Sequence, residues 1–180
     1  MKKETKIQLL EQGIAPPKPV RFYTRFEPFY YYYYPNAVNE QFLLGQEEND
    51  FQLDGYHIRK IAHIDKVECK DDLCSVINEW NGVVKEVRHP GIDISSWNSI
   101  AQGLSAMGRF LIIEDEKNEL FAIGRITRVC KRHIVFEHFD ANGIWQDEPL
   151  RIPYSTITHI AWDTRYANNW EAYLRSRGEA

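Results

Sequence analysis

The sequence has no long apolar run, little cysteine and no excess of positive charge. None of its apolar stretches approaches the ~18 residues that a membrane-spanning helix needs, so no membrane association is expected. Cys69, Cys74 and Cys130 are odd in number and spaced neither as CxxC nor as a disulfide framework. The N-terminal MKKETKIQLLEQG lacks the apolar centre of a secretory signal, and a reducing cytoplasm is the expected compartment. GxSxG, GxGxxG and P-loop patterns are absent, and Gly82, Gly91, Gly103, Gly108 and Gly143 fall at ordinary turn or helix-end places. Serine-hydrolase and nucleotide chemistry therefore have no support in the chain.

What is present describes a globular domain. Of 180 residues, 43% are hydrophobic and 13% aromatic, which excludes a mostly disordered chain, and this length can bury a core without disulfides or metal. The formal charge is −4, from 22 Lys+Arg against 26 Asp+Glu. It is unevenly spread: residues 26–164 hold 13 basic and 22 acidic groups. An acidic body repels phosphate and steers basic partners, which counts against nucleic acid as the main ligand.

Along the chain, residues 1–20 contain Pro16, Pro17 and Pro19 and read as a flexible or helical arm with an extended lead-in. A β-rich part follows over 21–72: the aromatic RFYTRFEPFYYYYY, then QFLLGQ, a turn at EEND, a long β stretch to Glu68 and a turn at CKDD. Residues 73–108 read as a helical connector. Leu73, Val76, Ile77, Trp80, Val83 and Val84 recur at helical spacing after a cap at Asp71 or Asp72, and Ser95-Ser96 opens a second helix ended near Gly108. Residues 109–163 give five short strands, with Phe110, Ile112, Phe121, Ile123, Ile126, Val129, Ile134 and Phe136 expected inward and Asn142-Gly143 as a hairpin turn. The strand, single tight turn and strand in IPYSTITHI resembles the end of Sm-like and Src-homology-3-like barrels. The expected class is thus mainly β with α (α+β), with a small β-barrel at 109–163 and a C-terminal helix over 164–180. On that helix Tyr166, Trp170, Tyr173 and Leu174 share one face. QFLLGQEEND (41–50) resembles RFLIIEDEKN (109–118), and HIRKIAHIDKV (57–67) resembles RIPYSTITHIA (151–161). A degenerate barrel-like repeat in the N-terminal half would explain both, the whole forming one compact unit.

His133 and His138 lie five apart on one strand, hence on opposite faces, and Cys69 and Cys74 straddle a strand–helix junction, so no metal site and no cofactor is expected. His57 and His63 with Lys60, or Cys130, His133 and Asp163, could supply an acid–base or nucleophile set only if folding assembled them. Tyr30, Tyr31, Tyr32, Tyr33 and Tyr34 put alternate rings on opposite strand faces and are candidate contact anchors. Under the repeat alignment Glu47-Glu48 and Asp115-Glu116 occupy equivalent turns, so that Glu47, Glu48 and Asp50 on one side and Glu114, Asp115 and Glu116 on the other give two acidic turns that could steer a cationic protein. Arg125, Arg128, Lys131 and Arg132 cluster on one hairpin and are the candidates for the competing reading, an RNA-binding small barrel.

HFDANGIW (138–145), RIPYSTITHIAWDTRYANNWEAYL (151–174) and DISSWNSIAQGL (93–104) resemble a group of small bacterial proteins of mostly unassigned function. The resemblance spans roughly 42–175 and is most specific after Gly108; residues 1–40 lie outside it. In type, a small acidic chain without catalytic signatures resembles the immunity proteins of bacterial toxin–immunity pairs, such as contact-dependent growth inhibition systems. That resemblance implies a non-enzymatic protein that occludes the basic cleft of a cognate toxin, a nuclease for preference.

Overall fold

The computed structural model describes residues 1–69 and 72–178. The chain divides into two compact units, Met1–Gly91 and Ile92–Ala180. Their described residues form four α-helices and ten strands, and the strands within each unit pair antiparallel. The class is α+β, as the hydrophobic pattern indicates. The boundary cuts the stretch read as one helical connector, so that its two helices belong to different units.

The first unit contains α1 (Lys3–Glu11), β1 (Val20–Thr24), β2 (Tyr30–Val38), β3 (Phe42–Asn49) and β4 (Gln52–Lys60), a 3-10 turn over Ile61–His63, β5 (Ile64–Cys69) and α2 (Leu73–Trp80). The strands follow the order β5-β1-β2-β3-β4. The β2–β3 turn is closed by the Asn39 side chain, whose Oδ1 accepts from the amides of Gln41 (2.7 Å) and Phe42 (2.8 Å). The next turn differs from the expectation at EEND. Glu47 and Glu48 lie inside β3, and Asp50 and Phe51 make the reversal with φ of 52° and 62°. The first-unit core gathers Leu10, Val20, Phe22, Tyr33, Leu43, Ile61, Ile64 and Val67.

The second unit contains α3 (Trp97–Met107), β6 (Leu111–Asp115), β7 (Leu120–Val129), β8 (His133–Phe139), β9 (Leu150–Pro153), β10 (His159–Trp162) and α4 (Arg165–Ser176). Its order, β10-β6-β7-β8-β9, repeats that of the first unit: fifth, first, second, third, fourth. Segments 57–67 and 151–161 both run from a fourth strand through a tight turn into a fifth. Segments 41–50 and 109–118, by contrast, set a third strand (β3) against a first (β6). Neither sheet is closed by backbone pairing among the described residues, since β4 does not pair with β5 nor β9 with β10.

Helix ends follow the local signals. Asp72 caps α2, its carboxylate accepting from the Ser75 amide at 3.2 Å; Ser96 and Thr164 cap α3 and α4 through Ser99 and Ala167. Asp71, the other candidate cap, lies outside the described residues. α3 ends at Gly108 with φ of 62°. Inside the second unit two expectations give way. Phe121 is half exposed, while its neighbours Ala122 and Ile123 are both buried. On α4 the buried line is Ala167, Glu171 and Leu174, and Tyr166 and Tyr173 stand half exposed.

Candidate binding surfaces

The tyrosine strand is sorted by the pleat. Tyr31 and Tyr33 join Phe22 on the core face, with ring centroids 5.6 and 4.8 Å from it. Arg59, itself buried, lies 4.4 Å over the Tyr31 ring and donates from Nε to the Tyr33 hydroxyl at 3.1 Å. Burial pushes the Tyr33 phenol well above its ordinary value, so it stays neutral. Tyr30 and Tyr32 are on the other face, 5.4 Å apart, where Arg21 covers Tyr30 at 5.0 Å. Of the five candidate anchors only Tyr30 is exposed; Tyr33 and Tyr34 are fully buried and cannot touch a partner without unfolding β2.

Beside Tyr30, Arg21 and Lys66 both bind Glu68, at 2.7 and 2.6 Å. The Lys66 ammonium and the Arg21 guanidinium hold the Glu68 carboxyl down at about 2. A folded value below the unfolded one gives stability that is present above the ordinary 4.5 and is lost as pH falls through about 2. Glu68→Gln is therefore expected to lower the thermal midpoint at pH 6 and to converge with the parent as pH approaches 2, which a pH series of melting curves checks.

α2 is turned around. Its apolar line, Leu73, Val76 and Trp80, is 72%, 61% and 86% exposed, while Asn78 is the residue fully buried. A polar contact ties its first turn to the tyrosine strand: the Tyr32 hydroxyl donates to Asp72 Oδ2 at 2.6 Å. Burial pushes the Asp72 carboxyl up, but the Tyr32 hydroxyl and the Ser75 amide and hydroxyl outweigh it and leave Asp72 below its ordinary value. Beside the exposed line runs a groove of about 710 Å³, whose lining includes Pro16, Pro17, Lys18, Val76, Glu79 and Val84. Helical periodicity had marked these apolar residues, without indicating that they face water.

The acidic candidates are largely occupied. Glu47 pairs with His57 (3.3 Å), and Glu48 accepts from the Phe51 amide (2.7 Å) to close its own turn. Glu114 holds His159 at 2.7 Å. Buried Asp115 accepts from Asn118 Nδ2 at 2.6 Å, and the Glu116 amide donates to the Thr158 hydroxyl at 3.0 Å. Asp50 alone of the six is exposed. Glu47, Glu48 and Asp50 belong to the first unit and Glu114, Asp115 and Glu116 to the second. The two sets sit at a third-to-fourth and a first-to-second strand connection, so the strand order does not make them equivalent.

The basic hairpin is rearranged. Arg125 is drawn onto Glu137 at 3.0 Å and lies 5.0 Å from the Trp145 ring. Arg128, Lys131 and Arg132 are exposed. Phe136 and Phe139 are buried and cannot stack on bases. A second aromatic surface lies along α4, where Tyr166 and Tyr173 flank Trp170 with centroids 6.4 and 6.2 Å away and Phe121 adjoins Tyr166 at 6.1 Å.

The remaining candidates do not assemble. Asp163 is paired with Arg109 at 3.1 Å, and Cys130 and His133 meet through the backbone, where the Cys130 amide donates to the His133 carbonyl. His57 is buried and shares a 2.9 Å hydrogen bond with the Asp54 carbonyl, while His63 packs edge-on against Phe26. Among the described residues no three His, Cys, Asp or Glu side chains gather in a way that could hold a metal ion. Comparison with protein-family models, with curated proteins and with solved structures finds no match.

Proposed function

We propose that the chain is a non-enzymatic bacterial binding protein of the immunity type, which neutralises a cognate basic toxin domain by covering it, and that its units are degenerate copies of one Sm-like, Src-homology-3-like small barrel. The shared strand order supports the second part. The observation that carries the first is the outward apolar face of α2. A tryptophan 86% exposed beside exposed Val76 and Leu73 is costly in water and is the composition of a binding hot spot. The contact surface is thus α2 and its groove rather than the acidic turns. Glu79 and Asp72 in the groove lining, against Lys18 alone among the described residues, favour a segment that presents an apolar side chain flanked by a cation.

The test is co-expression with a basic protein encoded beside this one and toxic when expressed alone. The parent chain is expected to rescue growth and to co-purify with it. Trp80→Ala should weaken the complex by about thirtyfold, as loss of a hot-spot residue worth about 2 kcal/mol does, with an unchanged thermal midpoint because the ring is exposed. Rescue that survives both Trp80→Ala and Val76→Asp, or a neighbour whose toxicity the parent chain does not relieve, would overturn the reading.

A further inference from the structure

The outer face of the β7–β8–β9 sheet carries cations that strand register brings together. Residues 125 and 128 are three apart and would point to opposite faces of a regular strand. The register shift between Ile126 and Arg128 changes this: Arg125 lies opposite Glu137 and Arg128 opposite Val135, two residues apart on β8 and so on one face. Val135 is in turn opposite Arg151 of β9. On the other face Ile126 stands opposite Phe136 and Ile134 opposite Ile152, all buried. Arg128 and Arg151 therefore flank Val135 on the outer surface, with Cα atoms about 10 Å apart across two strand spacings.

Lys131 and Arg132 extend this row at the β7–β8 turn, which is tied to the end of β9 by the Tyr154 amide donating to the Arg132 carbonyl at 3.1 Å. All four cations are exposed, and among the described residues none of them has a carboxylate within 4.0 Å. Glu137, the acid on this face, is already taken by Arg125. Cations on an edge strand commonly serve to block pairing with another chain. That purpose would need them on β9 alone, whereas Arg128 lies two strands in.

We infer that Arg128, Lys131, Arg132 and Arg151 form a binding site for the phosphodiester backbone of a nucleic acid, held by charge and without base reading. The net charge of −4 does not prevent this, because carboxylates more than about 10 Å away are screened at 0.1 M salt while contiguous cations act together on a bound phosphate. Guanidinium groups also match phosphate oxygens with paired donors. With the nearby phenylalanines buried, no stacking platform accompanies the charges, so sequence preference is not expected.

The test is fluorescence anisotropy of the full chain with labelled 20-residue single-stranded RNA and DNA of one sequence. Saturable binding at low salt is expected, with affinity falling as about the third power of salt concentration for four contacts to a single strand. Arg128→Glu with Arg151→Glu should weaken binding at least tenfold and about halve that exponent; Lys131→Glu with Arg132→Glu, in the turn, should do the same. Circular dichroism verifies that each variant is folded. Equal binding of RNA and DNA supports recognition of the shared backbone, and a preference for RNA identifies it as the source. Failure of both to bind at low salt, or binding and salt dependence unaltered in both folded variants, would overturn the inference. Neither result bears on α2, whose test reads a different surface in the other unit.

Discussion

Gly124→Ala is expected to destabilise the second unit by about 3 kcal/mol, a loss in the range of overpacked interiors but without a flexible side chain to relieve it. A Cβ built at Gly124 would stand 1.9 Å from the Glu137 carbonyl oxygen and 2.9 Å from the His138 Cα. Both neighbours are backbone of the paired strand, so β7 and β8 would have to part. At roughly 2–4 °C per kcal/mol for a chain of this size, the midpoint should fall by about 6–12 °C in a melting experiment.

Gly103→Ala is the control. Its nearest new neighbour is the Ile92 Cδ1 at 2.7 Å, the movable end of a side chain, and alanine in a helix interior regains roughly 0.5–1 kcal/mol over glycine. That variant should melt within about 3 °C of the parent. If Gly124→Ala melts no lower than Gly103→Ala, the close approach of β8 to residue 124 is wrong.

Phe22→Ala is expected to cost the first unit about 3–5 kcal/mol, the range for emptying a buried phenylalanine site. The ring is fully buried between Tyr31 and Tyr33, stacked on the first at 25° and edge-on to the second at 86°. Its loss also removes the ring that stacks on Tyr31, over which buried Arg59 lies. Against a typical total of about 5–15 kcal/mol, one substitution would remove roughly a fifth or more. Urea unfolding followed by circular dichroism reads it, and Phe22→Leu, which fills most of the space, should lose less than half as much. A loss below about 1 kcal/mol would mean that Phe22 does not occupy the centre of that core.

Much of the local structure was legible because it depends on neighbours in the chain. A cap is legible at Asp71 or Asp72 and another at Ser95-Ser96, and Asp72 and Ser96 act as caps; α3 ends at Gly108, near where the sequence ends it. The alternation of five tyrosines correctly implied two faces, since pleat geometry is indifferent to context. The turn at Asp50-Phe51 was missed because an aspartate–phenylalanine pair with positive φ carries no ordinary turn signal, and Glu48 supplies the closing bond from within the strand. Of the candidate sites, the basic hairpin was read in part: Arg125 is neutralised by Glu137, and Arg151, its replacement on that face, lies on another strand. The acidic turns looked free because a carboxylate's partner, such as His159 for Glu114, can lie far away in sequence.

By itself the sequence determined the α+β class, most strand and helix positions and the amphipathic stripe of α2, because spacing, caps and turn residues act within a few positions. Which side of α2 meets the body, which arginines share a face and which tyrosines remain exposed were decided only in the tertiary structure. Each depends on a contact between distant segments, Tyr32 with Asp72, Val135 with Arg151 and Phe22 with Tyr33, and periodicity carries no information about what stands opposite a stripe once the chain has folded.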